Sequence, residues 1–415
     1  MPKKVYLKYW GCQMNVRDSE VICGLLKANS YELAAKPEEA DIIIFNTCSV
    51  RQHAEDKVWS EIGRIAKRAR KSCRLQASSC KTRERANALT RKPIIGLVGC
   101  MAQNYKEQIF ERAPEVDFVV GPSDIHRIPS IIKELTGTLG RWGTGDHLFE
   151  RKIWETEGEV RPEEIYHTGF YEDKEHTYVV ISEGCSNMCS YCVVPYVRGP
   201  LHNRDYNDIL REIEEAVAKG ITKFTLLGQN VNAYESPIRG APEHRSTRAP
   251  VNFIKLLKLV NNIKGLKEFS FITSHPRDTS DELFKAMAEC DKLKKYLHLP
   301  VQSGSDKILE RMNRGYSRKF YLDLIENYRK IVKGGTLSSD IIVGFSGESK
   351  EDFQETYDLV TETQFDSAYI FKYSPRPHSE AYNWMDDVSQ EEKEKRHKLI
   401  LDLQKKISMS KKKRC

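Results

Sequence analysis

Three stretches of the first hundred residues repeat one arrangement of apolar and polar positions. Val5-Tyr6-Leu7-Lys8-Tyr9 alternates like a strand, and after Gly11-Cys12-Gln13-Met14-Asn15 comes a helical stripe of Val21, Ile22, Leu25 and Leu26. Ile42-Ile43-Ile44-Phe45 leads through Asn46-Thr47-Cys48-Ser49 to a helix expected over 54–69. Ile94-Ile95-Gly96-Leu97-Val98 leads through Gly99-Cys100-Met101-Ala102-Gln103 to a helix expected from Lys106. A last strand and turn are read at 117–122 and a last helix at 128–135. Short, almost wholly apolar strands alternating with helices predict a parallel sheet covered on both faces.

Periodicity fades over 136–176, where glycine and charge dominate, and the domain linker is placed at 141–172. Beyond it a strand, a turn of small or polar residues and an amphipathic helix recur. Strands are expected at 179–182, 223–227, 268–273, 297–301, 338–343 and 367–371, with helices at 208–219, 252–262, 279–289, 317–333 and 350–363. The predicted fold class is therefore α/β: an N-terminal parallel-sheet domain over 1–140, then a partial (β/α)6 barrel over 173–390. Residues 391–415 are read as a helical and basic tail. Within it, 405–415 is expected to be disordered, being too charged to pack.

The turns after the strands carry the chemistry. Ligands of parallel sheets gather at the carboxyl ends of the strands, and Cys12, Cys48 and Cys100 occupy three such ends, so they are expected to meet in space. Buried structural thiols are the other reading. Cys23, inside a helical apolar stripe, is assigned to the core in that way. In the second domain the strand ends read Gly184-Cys185, Gly228-Gln229-Asn230, Ser274-His275, Gln302-Ser303-Gly304 and Gly344-Phe345. Gln229, Asn230, Gln302 and Ser303 offer neutral donors and acceptors to a zwitterionic cofactor, although each alone is ordinary turn chemistry.

Cys185, Cys189 and Cys192 stand at C-x3-C-x2-C spacing directly after Val179-Val180-Ile181. Three thiolates on a four-iron cube leave one iron open to a small molecule. A closed zinc site would need a fourth ligand, for which His202 is the next histidine in the chain.

Composition agrees with a soluble cytoplasmic protein. The 415 residues contain no apolar run long enough to span a membrane and no signal-peptide core behind Met1-Pro2-Lys3-Lys4. Eleven cysteines in such a chain are read as reduced thiols. The net charge of +7 permits a polyanionic partner without requiring one. The basic run from Arg64 through Arg68, Arg70 and Lys71 to Lys92, with Glu84 its only acid, is either a solvated face or a phosphate-binding patch.

The triplet with Tyr191 before its last cysteine resembles the radical S-adenosylmethionine (SAM) enzymes. Together with Gly-Cys-Gln-Met-Asn at Cys12, Asn-Thr-Cys-Ser-Val-Arg at Cys48, Gly-Cys-Met-Ala-Gln at Cys100, Leu-Leu-Gly-Gln-Asn-Val-Asn at 226–232, Ser274-His275-Pro276, His-Leu-Pro-Val-Gln-Ser-Gly-Ser at 298–305 and Asp-Ile-Ile-Val-Gly-Phe at 340–345, it resembles the methylthiotransferases. The opening around Cys12 is similar to the tRNA branch, which converts N6-dimethylallyladenosine to its 2-methylthio form.

The resemblance implies two [4Fe-4S] clusters and two SAM molecules. Cys185, Cys189 and Cys192 would hold the cluster that cleaves SAM to a 5′-deoxyadenosyl radical, and Cys12, Cys48 and Cys100 an auxiliary cluster that delivers sulfur. Tyr191, Gln229, Asn230, Gln302, Ser303, Val343, Gly344 and Phe345 would contact SAM. It also implies a tRNA substrate, an electron donor such as flavodoxin or ferredoxin, the iron–sulfur assembly machinery, and a monomer with no membrane partner.

The chain departs from the family at Pro200-Leu201-His202-Asn203, at Ser346 in the place of proline, and in a basic tail where relatives carry a β-barrel RNA-binding domain called TRAM. Other readings are a methylthiotransferase for threonylcarbamoyladenosine in tRNA or for ribosomal protein S12, and a non-catalytic iron–sulfur scaffold or sensor.

Overall fold

The computed structural model describes residues 2–49, 52–77, 93–138, 152–236 and 250–412. The chain divides into two compact units, Met1–Glu172 and Asp173–Cys415.

The first unit is built on six strands: β1 (Lys4–Trp10), β2 (Glu32–Leu33), β3 (Ile42–Thr47), β4 (Ile94–Val98), β5 (Phe118–Val120) and β6 (Ile153–Glu155). Their order is β2-β1-β3-β4-β5-β6, parallel at every pairing. Strand direction and helical crossovers are as the alternation predicted. Ile43, Phe45, Ile95, Leu97 and Val119 face one way and bury against Val58, Ile62 and Ile65 of the helix Gln52–Ala77. The helix Gln13–Ala28 packs against β1 and β3 through a stripe including Val21, Ile22 and Leu26. At the centre of β4, Gly96 leaves room for the ring of Phe118 opposite it, whose Cζ would lie 2.0 Å from any Cβ at 96. The order reverses direction between β1 and β3, and in doubly wound sheets ligands bind at that crevice.

Of the stretch 141–172 expected as a linker, the described residues 152–172 belong to the first unit. They carry β6 and the 3-10 turn Glu163–Thr168. β6 covers the edge of β5, with the Gly121 N–H donating to the Glu155 carbonyl at 2.7 Å. Buried Arg161 fastens the segment, donating to the Pro122 carbonyl at 2.9 Å and to Asp18 at 2.7 Å. A three-residue strand whose side chains are only partly buried leaves no hydrophobic period to read.

The second unit holds β7 (His176–Val180), the short antiparallel pair β8 (Ser182–Glu183) and β9 (His202–Asn203), and then β10 (Lys223–Leu227), β11 (Glu268–Ile272), β12 (Tyr296–His298), β13 (Thr336–Val343) and β14 (Ser367–Lys372). β7, β10 and β11 form one parallel sheet, and β12, β13 and β14 another. A parallel bridge from Phe269 to Leu293 connects the first sheet to the approach of β12, which gives six β/α units in chain order. The helices Tyr206–Ala218, Phe253–Asn261, Asp281–Glu289, Arg318–Ile331 and Lys350–Thr363 follow the strands as the periodicity predicted. Several begin at side-chain caps: Asp205, Asn252, Ser317 and Ser349.

The tail is helical as expected, and the helix continues over 405–412, where disorder was expected. A helix runs over Gln390–Lys412 and packs on β14 and on the helix Lys350–Thr363. Its buried stripe, Lys393, Arg396, Ile400, Gln404 and Ile407, keeps helical spacing, but only two members are apolar. The polar members find partners inside: Arg396 on Glu348 at 2.6 Å, Gln404 on the Phe365 carbonyl at 3.0 Å, and Lys393 on Asp386 at 2.6 Å. A hydropathy reading scores such a stripe as solvated charge. Among the described residues no helix is long and apolar enough to cross a membrane.

Candidate functional site

In the first unit, Cys12 is the N-cap of the helix Gln13–Ala28, Cys48 follows β3, and Cys100 opens the helix Cys100–Tyr105 after β4. These strands are neighbours, so the three thiols leave from three adjacent carboxyl ends. The approach is close. A Cβ at Gly11, whose φ is +149°, would lie 2.5 Å from the Cβ of Cys48, and the Cys48 N–H donates to the Trp10 carbonyl at 3.1 Å. Asn15 and Asn46, both fully buried, bond each other beneath the thiols, and the Cys12 thiol donates to Asn15 Oδ1 at 3.3 Å. Cys23 is buried elsewhere in the core, and burial pushes its thiol up to about 12.

The basic run, read as a solvated face or a phosphate-binding patch, lies mostly outside the described residues. Arg64 is described and pairs with Glu61, its Nε 2.9 Å from the carboxylate.

In the second unit the loop after β8 carries Cys185, Cys189 and Cys192. Gly184 has φ +69°, and a Cβ there would meet the Pro200 carbonyl at 2.1 Å. The departure at 200–203 thus forms β9 and lies directly on the cysteine loop, with the Leu201 N–H donating to Ser186 Oγ at 3.1 Å and the Cys185 N–H to the Gly199 carbonyl at 3.1 Å. From the other side, Ser190 donates to the carbonyls of Met312 and Arg311, and Asn313 donates to the Met188 carbonyl at 2.9 Å.

Burial pushes the Cys192 thiol up to about 12, with Cys189 and Cys185 adding to it, and burial raises Cys185 as well. The three sulfurs are thus within electrostatic reach of one another, and Cys185 and Cys192 hold their protons until a cation replaces them. His202 lies exposed on β9. Among the described residues no three His, Cys, Asp or Glu side chains are set to hold a single metal ion. A cube asks for a different geometry, one thiolate on each of three irons, and a loop of three thiols at a strand mouth, Cys189 buried and Cys185 and Cys192 partly buried, fits it.

Arg314 was not singled out from sequence. It is 4% exposed, donates to Cys189 Sγ at 3.3 Å, to the Tyr191 hydroxyl at 3.3 Å and to the Pro300 carbonyl at 2.8 Å, and its Nε donates to the Tyr316 hydroxyl at 3.0 Å. The Tyr191 ring meets Phe345 edge-on at 6.4 Å.

At the ends of β10 and β11, four polar atoms are buried without a protein partner: Gln229 Oε1, Asn230 Oδ1, Ser274 Oγ and His275 Nε2. The remaining polar atoms of two of these side chains are engaged. Asn230 Nδ2 donates to Asp278 at 2.6 Å, and His275 Nδ1 accepts from the Arg277 N–H at 3.2 Å, which puts the imidazole proton on Nε2. Burial, with Arg314 and Arg277 nearby, lowers the His275 pKa to about 2, so the ring is neutral. Buried polar atoms left unpaired mark a place for a polar ligand.

The other expected SAM contacts behave differently. Ser303 is fully buried, its hydroxyl shared between Thr356 and the Ser305 N–H, which makes it a fastener of the helix Lys350–Thr363. Val343 and Phe345 are fully buried, Phe345 among Tyr373, Trp384 and Tyr191, and the Gly344 N–H is taken by Glu348 Oε2 at 2.6 Å. These side chains pack protein against protein. Gln302 adopts φ +73° and bridges to β13, its N–H on the Asp340 carbonyl at 2.9 Å.

Residues 179–360 match the model of the radical SAM superfamily, and residues 4–121 match that of uncharacterized protein family UPF0004. Among solved structures, the radical S-adenosylmethionine methyltransferase TsrM from Kitasatospora setae superposes with TM-score 0.57 at 12% identity, covering 92% of this chain and 74% of that one. The cobalamin-dependent S-adenosylmethionine radical enzyme OxsB superposes with TM-score 0.52 at 13% identity, covering 99% and 56%. At those identities the likeness is one of fold. Fold and domain match together define a radical SAM protein, a class that uses a [4Fe-4S] cluster and SAM.

Curated relatives narrow the class. A tRNA-2-methylthio-N(6)-dimethylallyladenosine synthase from Carboxydothermus hydrogenoformans is 38% identical over 98% of this chain and 84% of its own length, and one from Syntrophomonas wolfei is 41% identical over 95% and 80%. The chain belongs to the tRNA-2-methylthio-N(6)-dimethylallyladenosine synthase family.

Proposed function

We propose that this chain attaches a methylthio group to C2 of N6-dimethylallyladenosine in tRNA, with Cys185, Cys189 and Cys192 holding the SAM-binding [4Fe-4S] cluster and Cys12, Cys48 and Cys100 holding an auxiliary one. The observation that carries it is the placement of two separate thiol triplets at the carboxyl ends of two parallel sheets, in a chain of this family. When bound, the clusters and SAM supply the electron transfer, the radical and the sulfur, chemistry that no side chain offers at an unactivated C–H bond.

The protein's own residues bind and shield. Gln229 Oε1 and Asn230 Oδ1 are acceptors suited to the ammonium of SAM, while Ser274 Oγ and the His275 Nε2–H are donors for its carboxylate or ribose. Tyr191, edge-on to buried Phe345, closes one side of the cysteine loop against water. Gln302 stays a candidate for SAM contact, whereas Ser303, Val343, Gly344 and Phe345 act by shaping the wall behind it. A low-potential donor of the flavodoxin or ferredoxin kind, the iron–sulfur assembly machinery, a cytoplasmic location and a monomeric state complete the reading.

The test is anaerobic reconstitution followed by incubation with SAM, dithionite and tRNA bearing dimethylallyladenosine, then mass spectrometry of the digested nucleosides. The 2-methylthio nucleoside and 5′-deoxyadenosine are expected together from the parent. Cys48→Ala is expected to keep 5′-deoxyadenosine and lose the product, and Cys189→Ala to lose both. Product from Cys48→Ala at the parent's rate would overturn the auxiliary assignment, and 5′-deoxyadenosine without any modified nucleoside from the parent would overturn the substrate.

A further inference from the structure

We propose that Arg314 is a positioning residue that raises the reduction potential of the cluster held by Cys185, Cys189 and Cys192, by setting a buried positive charge and an N–H against the sulfur of Cys189. The inference rests on the ligand reading above and adds to it an electronic role for a residue outside the cysteine motif.

Desolvating a guanidinium is costly unless an anion and hydrogen bonds compensate it. Arg314 is 4% exposed, and its partners are a carbonyl, two phenol hydroxyls and a thiol. Among the described residues no carboxylate pairs with it. Its neighbour Arg311, by contrast, is spent on the Ser346 carbonyl and on the Trp384 ring, and buried Arg17, Arg161, Arg198, Arg204 and Arg396 each pair with an acid. Arg314 is built as a cation whose anion arrives later, and the group at 3.3 Å is the thiol of Cys189.

Once metal replaces the thiol proton, the sulfur carries negative charge that grows when the cluster accepts one electron from an external one-electron reductant. A fixed cation in a dry site stabilises the more negative, reduced form, and N–H donors to cluster sulfur act in the same direction. The guanidinium cannot swing away. Its Nη2 is held by the Pro300 carbonyl at 2.8 Å and its Nε by Tyr316, whose own hydroxyl is anchored on the Val301 carbonyl at 2.8 Å. The arginine sits two residues past Met312, whose carbonyl takes the Ser190 N–H, so the same turn that wraps the cysteine loop delivers the charge.

The experiment uses the full chain carrying Cys12→Ala, Cys48→Ala and Cys100→Ala, so that one cluster remains, reconstituted anaerobically with iron and sulfide quantified. The reduced cluster is followed by electron paramagnetic resonance during a potentiometric titration with dithionite, in the parent, Arg314→Lys and Arg314→Gln. The midpoint is expected to fall in the order parent, Arg314→Lys, Arg314→Gln, since lysine keeps the charge but cannot reach the sulfur while holding Pro300 and the tyrosines. If Arg314→Gln does not load, Arg314→Met decides, since it removes both the charge and the N–H, and a midpoint equal to the parent's at equal iron content overturns the proposal. SAM affinity measured on the same samples separates the other role. A fall in SAM affinity with an unmoved midpoint overturns the proposal and makes Arg314 a carboxylate ligand. A parent that loads no cluster overturns the ligand reading itself, and this inference with it.

Discussion

Asn15 and Asn46 hold each other across the carboxyl ends of β1 and β3. Asn15 Nδ2 donates to Asn46 Oδ1 at 2.9 Å, and Asn46 Nδ2 donates to the Asn15 carbonyl and to Ser19 Oγ, both at 3.0 Å. Cys12 is three residues before one partner and Cys48 two residues after the other. The pair therefore sets the separation of two thiols that come from different strands.

Asn46→Ala should expose that dependence. It leaves Asn15 Nδ2 without its acceptor in a dry site, while the Asn15 carbonyl keeps the Ser19 hydroxyl at 2.8 Å, at a cost of about 1–3 kcal/mol. Chemical denaturation should report the loss, and iron analysis after reconstitution should fall toward the content of a single cluster. Full iron content would show that the three strand ends hold their geometry without the clamp.

Gly184→Ala tests the second loop. The added methyl meets the Pro200 carbonyl at 2.1 Å on a backbone of φ +69°, which costs an L-residue about 1–2 kcal/mol before any clash. The expected outcome is a folded protein, judged by circular dichroism, that loses SAM-dependent 5′-deoxyadenosine formation because Cys185 shifts with its neighbour.

How much of this was legible in the sequence depends on what kind of signal each part sends. Strands such as Ile42–Thr47 and Lys223–Leu227, and the cysteines that follow strand ends, announce themselves by period and spacing. β6 was invisible because its side chains are hardly buried. The helix Gln390–Lys412 was misread in part because three of its five buried side chains are polar and find partners only in three dimensions. Arg314 had no signal at all, since its meaning lies in contacts 123 and 125 residues away in the chain. Ser303 shows the same limit, since its place at a strand end was legible but the bond of its hydroxyl to Thr356, 53 residues on, was not.

His275 predicts an acid limit on stability. Its pKa is about 2 in the folded chain against an ordinary value of 6.5, so the contribution is complete above 6.5 and is lost as pH falls below it, where the unfolded chain takes up a proton that the folded chain refuses. Between pH 8 and pH 5 this amounts to about 2 kcal/mol. Urea unfolding at the two pH values should show that difference shrinking in His275→Gln.

Arg396 and Glu348 form a pair at 2.6 Å, 4% and 0% exposed at the side chain, and the same carboxylate caps the Gly344 N–H. Arg396→Ala strands a buried charge and should cost about 3–5 kcal/mol. Burial already pushes the Glu348 carboxyl up, with Arg396 pulling it back, so the variant should protonate Glu348 at higher pH than the parent does. The double variant Arg396→Ala/Glu348→Gln should recover part of the loss in thermal unfolding.

Gly96 and Phe118 occupy one volume between them, on adjoining strands and in register. Neither position is free to change first. A side chain at 96 meets the ring, and a smaller residue at 118 alone opens a void in a sheet buried on both faces. Drift at this point of the fold must pass through a poorly folded single mutant or move both residues at once. Lineages that part company here should therefore show the exchange as a matched couple, small opposite large in either arrangement, with the intermediates missing.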